Sequence, residues 1–405
     1  MPETTTKKSY NYFRATETYD GKRYEAKGKT QREADRKLAK KIEAARRGEV
    51  GVNSNTKVSA WADTWLKDYI QPRVREPGAP KQPNTMSPNS YRTYDYVVRL
   101  YIKPNIGNKR LAAVTEADLR AILNSQKGKS YGHVQKIKVV LKAMFDQAYL
   151  SRLIGFNPAY KMELPAVIKG SRRSLTEEER KVFMMAAQKS VHGHLFRFLL
   201  ATGLRPNEVR ALRISQLDLD RAIIKVEEAV ESGTHIITTP KTAAGIRHTV
   251  INDADLIEWL KGYVQGKSPD DFVFAQRRNS TKMITDSDIH AYWRSFARQM
   301  DLEMGAEHDN RGHIYDPSDL KADGTPLYPD PADPKKPRNG HKLSPDVSLY
   351  CLRHTFCTDM QRKGVPVEVT KYLMGHEDIS TTSNIYTDSG EPEAIRATEY
   401  LFHQK

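Results

Sequence analysis

The chain has 405 residues, too many for one ordinary domain, and its 38% hydrophobic and 28% charged content supports folded cores under a heavily charged surface. Lys and Arg number 65 against 50 Asp and Glu, a net charge of +15 that points to a polyanionic partner. No stretch reaches the ~18 consecutive apolar residues of a spanning helix, the polar run Met1–Tyr10 has no apolar signal core, and Cys351 and Cys357 suit neither a disulfide framework nor a zinc site. No membrane partner, and a reduced cytoplasmic protein, are therefore expected.

Along the chain, residues 10–28 read as a hairpin. Tyr10 to Thr16 is aromatic and β-prone, Asp20-Gly21 is a two-residue turn, and Lys22 to Ala26 returns. Thr30 with Glu33 opens a helix from about Gln31 to Arg47. After a polar linker at 48–55, Val58, Trp61, Trp65 and Ile70 recur at helical spacing. Ser87-Pro88 caps a helix expected to end near Tyr101, and Thr115 caps the next. Residues 130–150 form a long helix with Val134, Ile137, Val140, Leu141, Met144 and Phe145 inward. Thr176 with Glu179 opens a further domain, in which Ala222–Val226 and Ile236–Thr239 are β-prone between helices. Residues 301–346 are rich in Asp, Pro, Gly, Lys and His without a period, and read as a long surface insertion, partly disordered.

The positive charge is unevenly placed. Residues 1–50 hold 14 Lys and Arg against 8 Asp and Glu, residues 51–169 hold 19 against 8, and residues 170–405 hold 32 against 34. A basic nucleic-acid clamp ahead of a nearly neutral second half is the simplest reading. The expected organisation is multidomain and mainly α: a hairpin-plus-helix module at 1–50, a helical domain at 57–162, and a mixed α+β domain at 170–405.

Four segments of the last domain carry chemistry. They are Ala201–Arg210 with Gly203-Leu204-Arg205, Thr239-Pro240-Lys241-Thr242 followed by Arg247, Tyr350–Thr355 with Arg353 and His354, and Leu373–Thr382 with Gly375-His376, leading to Tyr386. Singly, each residue has an ordinary reading: a surface arginine, a solvated lysine, a structural histidine, one of 20 tyrosines. Together they suit a phosphodiester. Two arginines can hold non-bridging oxygens and stabilise the added charge of a pentacoordinate phosphorus. A lysine can protonate a departing 5′-oxygen, a histidine can donate to the phosphate, and a tyrosine can attack it. No metal or other cofactor is required by this set, since the arginines supply the positive charge.

In this order the four segments resemble the tyrosine recombinase (integrase) family over about residues 57–400. The resemblance implies that Arg205 and Arg353 are the paired arginines, Lys241 the hairpin lysine, His376 the phosphate donor, Tyr386 the nucleophile and Glu208 an orienting acid. It implies a helical core-binding domain and a catalytic domain acting on core-site DNA, four subunits to an assembly, and 3′-phosphotyrosine links. The first 50 residues are similar to the arm-binding domains of phage and conjugative-transposon integrases, which makes Arg14, Lys22 and Arg23 candidates for contacts to a second DNA sequence. An excisionase or a host DNA-bending protein is a further partner such enzymes use. The chain departs from the family at Tyr350, where a histidine is usual. A neutral phenol can donate a hydrogen bond but is a poor base, so His354 nearby and His341 in the insertion are the alternatives for that role.

Other classes make different demands. A DNA-binding regulator with a decayed catalytic domain would explain the charge without needing Arg205, Lys241, Arg353, His376 and Tyr386 together. A metal-dependent nuclease would have to use His308, Asp309, His313 and Asp316, whose spacing fits no standard ligand set. A type IB topoisomerase shares the chemistry, but the arm-like N-terminus argues against it.

Overall fold

The computed structural model describes residues 12–19, 22–46, 55–80, 82–166, 173–240, 243–277 and 279–376. The chain divides into two units, residues 1–76 with 82–170, and residues 77–81 with 171–405.

The first unit contains two apolar cores. In the smaller, β1 (Phe13–Tyr19) and β2 (Lys22–Gly28) pair antiparallel, with Phe13 opposite Gly28 and Tyr19 opposite Lys22, and α1 (Gln31–Arg46) packs against them. Strand alternation turns Ala15 and Ala26 inward, onto Ala34, Leu38 and Ile42. These small residues let the helix lie close, and a Cβ at Gly28 would stand 2.5 Å from the Ala34 nitrogen. Residues of the other parity, Arg14, Thr16 and Thr18, stand opposite Lys27, Glu25 and Arg23 and are left to solvent, with Arg14 paired to Glu25 at 2.6 Å. Thr30 caps the Glu33 amide as expected, while the Glu33 carboxylate reaches back to the amide of Lys29.

The larger core is helical. It is formed by α2 (Val58–Trp65), α3 (Pro88–Val97), α4 (Lys103–Ile106), α5 (Glu116–Asn124) and α6 (Tyr131–Leu150). Trp61, Trp65, Ile102, Leu119, Ile137, Leu141 and Phe145 are buried in it, and the Trp61 indole donates to the Met144 carbonyl at 3.2 Å. Both α2 and α3 continue into a π-helical turn, Leu66–Ile70 and Val98–Ile102. Through the second of these the α3 helix runs on into α4 and reaches Ile106, beyond the expected end near Tyr101. The reason is Pro104. In a regular helix its ring would meet the carbonyl four residues back, and the wider turn before it relieves that clash. Pro72 stands in the same relation to the first π-turn.

In the second unit, α7 (Glu177–Lys189), α8 (Gly193–Thr202) and α9 (Pro206–Ala211) lead into short strands: β3 (Leu217–Asp218), β4 (Ile223–Val226), β5 (Ala229–Val230), β6 (Ile237–Thr238) and β7 (Arg247–Val250). β3, β4 and β7 make one antiparallel sheet, and β5 and β6 a hairpin. Then follow α10 (Ala254–Val264), the hairpin β8 (Ala275–Gln276) and β9 (Asn279–Met283), α11 (Asp286–Glu303), the hairpin β10 (Pro329–Asp330) and β11 (Asp333–Pro337), α12 (Leu349–Arg362) and α13 (Val367–Met374). Phe183, Phe196, Phe198 and Phe296 fill the core, α12 packs on α8, and α13 lies against β7 and α12. Capping boxes at Thr176/Glu179 and Thr285/Asp288 start α7 and α11.

The stretch between α11 and α12 corrects the expectation of partial disorder. It folds as short antiparallel turns, with bridges His308–Ile314 and Leu320–Pro326 ahead of β10 and β11. The composition that reads as disordered is turn chemistry: Asp309, Asp316, Asp323, Asp330 and Asp333 each accept a backbone amide two residues on. Its base is tied by His341, whose Nδ1 lies 2.5 Å from buried Asp301 and Nε2 3.2 Å from Asp316.

Replacing Trp65, 1% exposed in the helical core, by alanine should destabilise the protein by about 3–5 kcal/mol. Urea denaturation checks this, and an unmoved midpoint would refute the packing described.

Candidate active site around Glu208

Several segments of the second unit converge on one carboxylate. α8 ends at Gly203, left-handed at φ 62°, where a Cβ would stand 2.4 Å from the Phe356 ring. Two residues later Arg205 precedes α9, with Pro206 in the first helical position and Glu208 in the third. This spacing folds the Glu208 side chain back on the helix start. Its Oε2 accepts the Arg205 amide at 2.9 Å, and its Oε1 accepts Nη1 of Arg205 at 2.7 Å. From β7, Arg247 donates Nη1 to Oε1 at 3.1 Å and Nη2 to Oε2 at 3.0 Å. One buried carboxylate therefore receives both arginines through both oxygens.

The C-terminus of α13 is the second scaffold. Its last carbonyls have no partner within the helix and carry the negative end of its dipole. Three in succession accept guanidinium groups. Leu373 takes Nε of Arg247 at 2.7 Å, Met374 takes Nη2 of Arg353, and Gly375 takes Nη2 of Arg205 at 2.9 Å. Arg353, from α12, also donates to the Gly203 carbonyl. Gly375 is left-handed, and the His376 amide closes back on the Lys371 carbonyl, so the chain leaves the helix with His376 beside the arginines. A Cβ on Gly375 would lie 2.9 Å from both the Ala244 carbonyl and the Arg247 guanidinium.

This crowding sets the charges. Burial opposes ionisation of Glu208, but the charge and hydrogen bonds of Arg247, with Arg353 and Arg205, outweigh it and hold its pKa at about 2. Burial, then the like charge of Arg205, pulls Arg353 down to about 9 against the attraction of Glu208, so it stays charged at neutral pH. Burial and the repulsion of Arg353, Arg205, His354 and Arg247 push His376 down to about 3. The site thus holds three guanidinium groups, one carboxylate and a neutral imidazole, and carries a net positive charge.

Of the residues singled out in the sequence, Arg205, Glu208, Arg353 and His376 are brought together. Tyr350 lies one turn before Arg353 on α12 and is half exposed. His354 follows Arg353 and opposes protonation of His376. His341 has both ring nitrogens on carboxylates, so it has no lone pair to offer as a base. Lys241 and Tyr386 lie outside the described residues. Arg14 and Arg23 sit on the exposed hairpin face of the first unit, where Lys22 opens β2. The Asp/His run is engaged in turns and ion pairs, and the described residues include no group of three or more His, Cys, Asp or Glu able to hold a metal. Arg247 is the residue whose part in the site the sequence reading did not assign.

The lowered pKa of His376 has a consequence for stability. In the unfolded chain the imidazole takes a proton near 6.5, but in the folded protein only near 3. Between these values the unfolded state binds more protons, so stability must fall as pH drops through 6.5 toward 3. His376→Gln should flatten this fall when denaturation midpoints are compared from pH 7 to 4, and an unchanged slope would contradict the burial of a neutral histidine.

Residues 173–314 and 335–392 match the phage integrase family, and residues 80–126 match the phage integrase N-terminal SAM-like domain. The gap in the first match lies inside the insertion between α11 and α12. The transposase from transposon Tn916 of Enterococcus faecalis is 24% identical, with 76% of this chain and 72% of that protein covered. A XerC-like tyrosine recombinase of Caldanaerobacter subterraneus is 24% identical, with 98% and 97% covered. Among solved structures, Tn1549 transposon integrase in complex with transposon right end DNA aligns at a TM-score of 0.60 and 20% identity, covering 84% of this chain and 99% of that one. A λ integrase dimer bound to a COC′ core site aligns at 0.54 and 17% identity, covering 94% and 93%. The arginine-rich site falls within the segments matched to the family: the chain belongs to the phage integrase family of tyrosine recombinases, enzymes that cleave and rejoin DNA strands.

Proposed function

We propose that the chain is the site-specific integrase of a mobile genetic element, and that its positively charged site binds the scissile phosphate of duplex DNA. The observation that carries this reading is the ratio of three guanidinium groups to one carboxylate at the end of α13. Arg205 and Arg353 hold the non-bridging oxygens and stabilise the charge added at phosphorus. Neutral His376 donates to the same phosphate, and Tyr350 donates in place of the usual histidine. Tyr386 attacks phosphorus. As its bond to the 3′-phosphate forms, the bond to the 5′-oxygen breaks, and Lys241 supplies the proton that makes a 5′-hydroxyl. His354 takes the proton released by Tyr386. Attack by a 5′-hydroxyl of another strand reverses these steps and completes the exchange.

Recombination of two duplexes needs four such sites, so a homotetramer on core-site DNA follows, in the cytoplasm, with an excisionase or a host DNA-bending protein as accessory partners. The basic helical region of the first unit is assigned to the core site. The exposed face of β1 and β2, with Arg14 and Arg23 and the first residue of β2, Lys22, is assigned to a separate arm site. Arg14 and Arg23 there face away from the alanine core, as contact with DNA requires.

Incubation of the protein with nicked core-site DNA in EDTA should give a covalent protein–DNA band on a denaturing gel, and Tyr386→Phe should give none. A band persisting in the variant would move the nucleophile to Tyr372 or Tyr350, and no band on DNA that the native protein binds would favour a regulator without catalysis. In the full chain, Arg14→Ala with Arg23→Ala should weaken arm-site binding and lower its salt dependence by about one unit per lost phosphate contact. Core-site cleavage should stay unchanged, and an equal loss at both sites would refute a dedicated arm surface.

A further inference from the structure

We infer that Arg247 is a positioning residue for strand cleavage, setting the geometry of Arg205 and His376 without touching DNA. The inference rests on the reading of the site as a phosphodiester-cleaving centre. Arg247 has the charge and location of a third phosphate-binding arginine, but its exposure excludes that role. Its side chain is 0% exposed, against 36% for Arg205. All three of its nitrogens are engaged inside the protein: Nε on Leu373, Nη1 on Glu208 and the Gly245 carbonyl at 3.0 Å, and Nη2 on Glu208.

Each partner governs a catalytic group. Glu208 is the carboxylate that fixes the Arg205 guanidinium, and it accepts Arg205 and Arg247 on the same Oε1. Leu373 belongs to the run of three carbonyls that also receives Arg353 and Arg205, three residues before His376. Gly245 ends the short turn Ala243–Gly245, four residues after Lys241 in the chain. Next to Arg247, the His248 amide donates to the Tyr372 hydroxyl at 3.2 Å, so two successive residues of β7 seat α13. One planar fork with donors in three directions meets these demands at once. A lysine ammonium has no such fork and cannot span both carboxylate oxygens and two carbonyls.

The test uses full-length protein on nicked core-site duplex, with single-turnover cleavage and duplex affinity measured separately. Arg247→Lys and Arg247→Met should cleave roughly 100-fold more slowly, the scale expected when a reacting group is misplaced by about 1 Å. Duplex affinity should stay within about threefold, because Arg205 and Arg353 remain. A second readout separates positioning from mere support. The charged groups facing Glu208 are Arg205, Arg247 and Arg353, with His376 beside them. Without Arg247 the burial of Glu208 is less opposed and its pKa must rise, so the residual cleavage of Arg247→Met should decline at a higher pH than that of the native enzyme. Adding Glu208→Gln should abolish that new pH dependence, and it relieves the unpaired buried charge if the single variant folds poorly. Native-rate cleavage by folded Arg247→Met, or a pH profile unchanged from native, would overturn the inference. So would full activity of Arg247→Lys, since one ammonium would then suffice. Failure of the native protein to form a covalent adduct would instead refute the reading of the site. The acid limb of thermal stability then decides the Arg247 question: it should move to higher pH in Arg247→Met, and an unmoved limb overturns the link to Glu208.

Discussion

The buried Glu208 carboxylate is the constraint on which the site depends. It lies in the first turn of α9 and accepts four donors from two arginines, one amide of the chain and three guanidinium N–H groups. A carboxylate removed from water is strongly unfavourable unless paired and hydrogen-bonded, and breaking such a pair costs about 3–5 kcal/mol. Burial makes the arrangement rigid as well as expensive to disturb. Arg205 cannot turn away from the site without leaving Glu208 short of donors, so the guanidinium is held in place before any ligand arrives.

The α13 terminus complements the carboxylate. A helix end exposes carbonyls that must be satisfied, and here each of the last three takes a different arginine. These dipoles offset part of the repulsion among the guanidinium groups without adding a second formal negative charge. The imbalance that persists leaves the centre with a net positive charge, which is the basis of the proposal that it binds a phosphate. It also explains the neutral His376, which can donate a hydrogen bond without bringing a further cation into the cluster. Two glycines make the geometry possible: Gly203 lets α8 stop against Phe356, and Gly375 lets α13 end against Arg247.

Charge is divided along the chain in keeping with this. The second half needs only a few cations, held by burial at one point, and its overall charge is close to neutral. Among the described residues of the first half, Arg14 and Arg23 lie on the exposed side of the β1–β2 hairpin, as suits contact with an extended polyanion. The stretch between α11 and α12 belongs to neither pattern. Its acidic residues are used locally, to close turns and to hold His341 across the base of the insertion.

The amino-acid sequence by itself determined the helices with clear periodicity and caps, and the order of the four segments that resemble the family, with Glu208 three residues after Arg205. Those features are legible because their causes are local: an apolar repeat, a capping side chain, a short run of residues in fixed order. Only the tertiary structure decided the role of Arg247. Nothing in the strand Arg247–Val250 distinguishes it, since its partners lie 39 and 126 residues away. Tertiary packing likewise decided that His341 is bound to carboxylates on both sides, and that α3 passes through a π-turn to Ile106 rather than stopping near Tyr101. Composition and spacing record what a residue can do with its neighbours in the chain; which distant carbonyls and carboxylates it meets depends on how the elements pack.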